Sequence, residues 1–274
     1  MIRRNMLALA VALSVTLALG APAAEAQTRP SFVADGRLDI CTTAGFAPMT
    51  YKRNPADERP VGFDIEMAEA LGARWGVPVR FVIAEFPGLL PGLAAQRCDL
   101  VISGIFITDQ RRQAFDGVPY VQTTTVLLSA RNNTTINSPD NLAGQTVAIE
   151  AGTVYERMAN SLNEEFQRSG RRPMTIQTYS RFEEIMQQVM IGRAVATLTQ
   201  DTQAAFQESV LPGRFRVAFE YPQPNRFGIY LRRSPEDLLA VREALGALRA
   251  AGTLAAIAER HRMPAKMIDV DHAQ

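Results

Sequence analysis

Lysine, histidine, cysteine and tryptophan are nearly missing from this chain. Lys52 and Lys266 are its lysines, His261 and His272 its histidines, Cys41 and Cys98 its cysteines, and Trp75 stands alone. The net charge is +1. No stretch gathers the basic surface that a nucleic-acid partner requires. The two histidines sit in no ligand-spaced cluster, so a metal site has little support. A nucleophile elbow, a phosphate loop and a metal motif are also missing, and no cofactor is expected.

Long apolar runs are scarce as well. One covers residues 6–19, with Arg3 and Arg4 before it and Ala24-Glu25-Ala26 after it. A positive start, an apolar middle and a small-x-small end describe a signal peptide over residues 1–26, cleaved near Ala26 before Gln27. The run is short for a membrane span, and no stop-transfer pattern follows. No cysteine sits just after the cleavage site, which argues against a lipid anchor. An exported, periplasmic, soluble chain is expected. About 250 residues then remain, enough for one large domain or two small lobes. Without Arg3, Arg4 and Glu25 they are charge-balanced.

Strand and helix patterns alternate, which argues for α/β lobes with largely parallel sheets. Residues 38–41 read as a first strand. Phe63, Met67, Leu71 and Trp75 recur every four residues as a helix stripe that ends at Gly76 and Pro78. Residues 79–83 and 100–102 read as strands around a short helix at 89–96. Further on, strands are expected at 146–149, 175–179, 194–199 and 216–219. Val154, Met158, Leu162 and Phe166 form another helix stripe, and residues 182–191 a further helix. Tyr221-Pro222-Gln223-Pro224-Asn225 reads as a break, followed by a strand at 228–231 and helices at 235–250 and 251–262. Cys41 and Cys98 could pair in an oxidising compartment. As the end of one strand and the start of a parallel neighbour they fall at opposite ends, which favours two buried free thiols.

Four segments carry the chemistry: Thr43-Ala44-Gly45-Phe46-Ala47-Pro48-Met49, Pro60-Val61-Gly62-Phe63-Asp64-Ile65-Glu66-Met67-Ala68, Asp99-Leu100-Val101-Ile102-Ser103-Gly104, and Thr108-Asp109-Gln110-Arg111. Thr108 reads as the N-cap of a short helix, which aims Arg111 back toward the loop at residues 103–106. An arginine fork matches the two oxygens of a carboxylate. Gly104 lets backbone approach a ligand closely. Phe46 lies among loop residues, and Phe86 precedes Pro87-Gly88. In the second half, Thr153 follows Ala151-Gly152 at a strand-to-helix junction, where unpaired N–H groups favour an anion.

This set of segments resembles the polar amino-acid family (family 3) of periplasmic solute-binding proteins, the receptors of ABC importers. The resemblance covers nearly the whole chain after residue 26 and is most specific over residues 43–128. It implies the two-lobe, type II periplasmic-binding-protein fold, each lobe a mostly parallel sheet flanked by helices, with two hinge crossings. Lobe 1 would comprise residues 30–122 and 225–265 and lobe 2 residues 123–224, with a C-terminal tail at 266–274. It implies an amino acid or similar small carboxylate held by Phe46, Phe86, Ser103, Gly104, Phe106, Arg111, Thr153 and Asp201. Phe106 stands where the family has Ser or Thr, so it either lines an apolar pocket or turns into the core. The ammonium partner falls on Gln200 or Asp201, and Asp201 is favoured because an ammonium needs a charge. Thr43 stands where an acid would favour basic ligands, which disfavours Lys or Arg. A membrane permease is the implied partner, and a monomer is expected. Two other functions stay open: a dehydratase-like enzyme on the same fold, with Glu85, Glu150 or Asp201 as acid, and a ligand-sensing receptor.

Overall fold

The computed structural model describes residues 28–272; the expected signal peptide lies outside them. The elements run β1 (Leu38–Thr42), β2 (Gly45–Phe46), β3 (Thr50–Tyr51), α1 (Phe63–Trp75), β4 (Val79–Ile83), α2 (Leu89–Ala94), β5 (Leu100–Val101), α3 (Asp109–Arg112) and β6 (Asp116–Ala130). There follow β7 (Thr146–Glu150), α4 (Val154–Arg168), β8 (Thr175–Tyr179), α5 (Phe182–Met190), β9 (Ala196–Gln200), α6 (Asp201–Val210), β10 (Phe215–Leu231), α7 (Pro235–Ala250) and α8 (Thr253–Arg260).

Apolar periodicity explains why the helices dock. Phe63, Met67, Leu71 and Trp75 are all buried on one face of α1, and Gly76 closes that helix in the left-handed conformation with φ 69°. In α4 the expected stripe is completed by Tyr155 and Ala159, which bury more fully than Val154 or Met158. All five residues of β1 are buried, as expected of a central strand covered on both faces.

The strands form one eight-stranded sheet in the order β4-β1-β5-β10-β6-β9-β7-β8. Its two ends are parallel: β1 pairs with β4 and β5, and β7 pairs with β8 and β9. These are the two lobes of a type II periplasmic-binding-protein fold. The middle is antiparallel, because β6 and β10 run from one lobe into the other side by side. They are the two crossings.

The expected break at residues 221–225 is a correction. The chain stays extended there as part of β10, and Pro222 and Pro224 fall in a register shift between Glu220 and Pro224. Proline cannot donate to the ladder, so it is tolerated where pairing is already interrupted. Pro119 lies at a second shift, which hid β6 from a reading of periodicity.

The expectation of two free thiols is also overturned: Cys41 and Cys98 form a disulfide, with Cα atoms 5.6 Å apart. Cys98 precedes β5 instead of opening it. It arrives from α2, which packs over the face of the sheet toward which Cys41 points; Leu89, Leu93, Val101 and Tyr230 complete that small core.

Candidate functional site

The site forms where parallel strands end, the usual position for ligands in open α/β sheets. Thr43 and Phe46 follow β1, Phe86 follows β4, and Ser103, Gly104 and Phe106 follow β5. From the other lobe, Glu150 ends β7, Thr153, Val154 and Tyr155 open α4, and Gln200 ends β9. With Arg111 of α3, these residues line one cleft between the lobes. It contains about 360 Å³ of space free of protein atoms, part of it open to solvent.

The first lobe's wall is tied together by buried polar contacts. Thr43 N donates to Ser103 Oγ at 3.0 Å, and the two hydroxyls lie 2.9 Å apart. Gly104 N donates to Tyr120 Oη at 3.1 Å, and Tyr120 Oη donates to Asp64 Oδ1 at 2.9 Å. Burial pushes the Asp64 carboxyl up to about 7, against the lowering effect of the Tyr120 hydrogen bond. Gly104 sits at φ 58°, and a Cβ there would lie 2.0 Å from Phe46 Cε1. Glycine is required on both counts: only it adopts this φ freely, and only it lets the Phe46 ring lie against the loop.

Phe106 satisfies both of its expected alternatives. Its ring lines the cleft and stacks on Phe227 at 5.1 Å, and it meets Tyr155 of the other lobe edge-on at 5.9 Å. Its carbonyl accepts from Tyr230 Oη at 2.7 Å and from Arg111 Nη1 at 2.8 Å. Thr108 caps α3 as expected, accepting from Arg111 N. The Arg111 guanidinium is thus aimed into the cleft, 5.8 Å from the centre of the Phe86 ring. Burial lowers its pKa, opposed by Tyr230. Among the described residues no carboxylate pairs with it.

The second lobe's wall is less braced. Thr153 stands at the N-cap position of α4, but its hydroxyl donates back to Glu150 O at 2.7 Å instead of capping the helix. Glu150 is surrounded by protein, yet part of its surface faces the cleft. Its carboxyl is pushed up to about 8 by burial first, then by the charges of Glu183 and Glu85.

Seven of the eight expected residues line this cleft: Phe46, Phe86, Ser103, Gly104, Phe106, Arg111 and Thr153. Asp201 does not. It begins α6 and turns the other way, accepting hydrogen bonds from the hydroxyls of Thr123 and Thr124 and from Thr202 N. It lines a separate cavity with Tyr51, Phe206 and Arg262. Gln200, one residue earlier, faces the cleft. At a strand-to-helix junction a one-residue step changes the facing side, so a residue count alone could not choose between them. Tyr155 was missed altogether. Its place in the first turn of α4, two residues after Thr153, was the available signal.

A cleft between two α/β lobes, with aromatic walls and a half-buried cation that no carboxylate among the described residues pairs with, defines a solute-binding protein. Residues 38–263 match the model of the bacterial extracellular solute-binding proteins, family 3, and the chain belongs to that family. It is 28% identical over 228 residues to the L-cystine-binding protein TcyJ of Escherichia coli (strain K12), covering 82% of each. It is also 26% identical over 225 residues to the cyclohexadienyl dehydratase of Pseudomonas aeruginosa, covering 78% of this chain and 80% of that one. The solved structure of an ancestral arginine-binding protein bound to arginine superposes with a TM-score of 0.74 at 27% identity, covering 82% of this chain and 97% of that one. Most of the relatives are binding proteins by name. Among the described residues no helix is long and apolar enough to cross a membrane.

Proposed function

We propose that this protein is a periplasmic receptor that captures an amino acid or related small carboxylate between its lobes and delivers it to the permease of an ABC importer. In this reading residues 1–26 are removed on export and the mature protein acts as a monomer. Lobe 1 is residues 30–122 with 225–265, and lobe 2 is residues 123–224. The observation that carries the reading is Arg111. A half-buried guanidinium held by the Phe106 carbonyl beside Tyr230, without an acidic partner among the described residues, suits a bidentate ligand carboxylate. Phe46 and Phe86 flank the ligand, the loop at residues 103–106 offers backbone groups, and Thr153 and Gln200 meet it as lobe 2 closes.

Glu150 favours a second reading. A carboxyl raised to about 8 is a neutral proton donor at pH 7, as a dehydratase acid must be. One experiment separates the two readings. The mature protein is screened by thermal shift against amino acids and aromatic or cyclic carboxylates, and the tightest ligand is then incubated with it. The receptor reading expects a raised melting temperature and a ligand returned unchanged. Multiple turnovers to a product would replace it with the enzyme.

A further inference from the structure

The separate cavity that Asp201 lines is larger than the cleft. It holds about 1210 Å³ of space free of protein atoms, part of it open to solvent, against about 360 Å³ for the cleft. We propose that it is a second binding site, for an organic anion that carries a carboxylate on an aromatic body. This inference goes beyond the receptor reading and does not depend on it.

Both lobes build the cavity. The first supplies Tyr51 of β3 together with the end of α8 and the segment after it; the second supplies α6. The rings of Tyr51 and Phe206 meet across the lobes with centroids 5.3 Å apart and planes tilted by 56°. Neither ring is fully buried, so each keeps surface for a further ring to pack on. Met263 and Met267 extend the apolar lining. An occupant held here fixes one lobe against the other.

The charges of the lining leave two cations uncommitted. Arg260 and His261 are both engaged by Glu66. The side chains of Arg262 and Lys266 make no hydrogen bond or ion pair with the described residues. Asp201 is the one carboxylate of the lining, and its oxygens accept from Thr123, Thr124 and Thr202 N instead. Arg262 and Lys266 are exposed, so water and salt screen them, and charge alone would bind any anion weakly. The rings supply the selectivity, because only an anion with an apolar body buries surface against them.

Arg262 holds its place at a conformational cost. It follows α8 in the left-handed conformation, φ 56°, donating its N–H to Glu259 O at 2.9 Å while Met263 N donates to Ala258 O at 2.8 Å. Glycine usually fills that position, as Gly76 does after α1. Among the described residues, Gln96 is the only other non-glycine with positive φ. What arginine adds over glycine at this position is a guanidinium on the cavity wall. Thr202 adds a neutral donor. It is 5% exposed, it lines the cavity, and its hydroxyl has no hydrogen-bond partner among the described residues. A buried unpaired hydroxyl is destabilising, and a turn about χ1 that presents it to a ligand oxygen would satisfy it.

The test is calorimetry with indole-3-acetate and its neutral analogue indole-3-acetamide. Wild type should bind the acid at least ~10-fold more tightly than the amide. Arg111→Ala, which alters the cleft, should bind the acid as wild type does. Arg262→Gly and Lys266→Gln should each weaken the acid at least ~5-fold, and the double variant should lose the preference for the carboxylate. Arg262→Gly should keep or raise the melting temperature, since glycine relieves the left-handed strain; that readout separates lost binding from lost folding. If it lowers the melting temperature, Lys266→Gln alone carries the test. No binding of the acid by wild type, equal binding of acid and amide, or a preference that survives the double variant would overturn the inference. So would loss of the acid in Arg111→Ala, which would place that ligand in the cleft. None of these outcomes bears on the receptor reading, which rests on the cleft.

Discussion

Gly104 and Thr153 sit on opposite walls of one cleft, and they are held in opposite ways. Gly104 is anchored through Tyr120 to Asp64 in the core, pressed by Phe46, and placed in the loop that follows β5, the strand that Cys98 of the disulfide leads into. Thr153 stands at the start of a helix with its hydroxyl folded back on Glu150 and no cap bond. The first lobe presents a preformed surface, with Arg111 fixed by Phe106 and Tyr230 close by. The second presents groups whose partners are still to come. Preorganisation on one side lowers the ordering cost of binding. Adaptable polar groups on the other let closure depend on the ligand.

That contrast can be broken by experiment. Arg111→Ala should have the largest effect, because it removes the clamp from the rigid wall and leaves a ligand carboxylate poorly paired. A loss of about 2–5 kcal/mol of binding is expected, by analogy with truncated charge pairs at interfaces. Arg111→Lys should recover only part, since a point charge lacks the fork. Arg112→Ala, which alters a residue outside the cleft lining, is the control in the same calorimetry. Equal affinities for the two Ala variants would show that the clamp lies elsewhere.

Reduction of Cys41–Cys98 should come next. The bridge closes a chain separation of 57 residues, for which a cost of about 2–4 kcal/mol is typical. Urea unfolding with and without reductant should show the midpoint fall. An unchanged midpoint would mean that the first lobe does not depend on its staple.

The pH dependence of stability tests the buried carboxyls. Asp64 is raised to about 7 and Glu150 to about 8. Each holds its proton in the folded state over a range where the unfolded chain has lost it. Stability therefore falls as pH rises from the ordinary carboxylate range through these values. Asp39 and Glu66 are lowered, after Arg80, Arg37, Arg260 and His261 outweigh their burial. Their contribution is present above the ordinary carboxylate range and lost as pH falls. The ligand-free melting temperature should peak at mildly acidic pH, about 5. Asp64→Asn should flatten the decline between pH 5 and 7, and a decline of unchanged slope would discount Asp64 as its source.

The smallest effect is expected from Asp201→Asn, at most ~3-fold in ligand affinity, because Asp201 faces the hinge-spanning strand instead of the cleft. A loss comparable with Arg111→Ala would return Asp201 to the site.

Most of the first lobe's site was legible because it is local. Phe46, Gly104 and Arg111 each stand in a short segment whose turn, glycine or cap sets their direction. The α/β character was legible for the same reason, since alternating periodicities mark the elements and glycines their ends; the two-lobe arrangement was legible only through the family resemblance of residues 43–128. Gln200 was not, because a strand-to-helix junction decides facing by a single backbone step. Neither β6 nor the continuity of β10 was legible, because prolines interrupt the patterns of strands whose partner is about a hundred residues away.

The sequence by itself determined most of the strands and helices outside β6, α6 and the middle of β10, and the direction of Arg111 through its Thr108 cap; the resemblance it carries implied that the chain returns to the first lobe after the second. Tertiary structure decided the rest: that Cys98 meets Cys41 over a sheet face, that Gln200 displaces Asp201 from the cleft, and that Glu150 is brought beside Glu85 and Glu183. Those outcomes depend on contacts between distant segments. The free energy of such contacts comes from burial and charge in a shared environment, which no local pattern of residues contains.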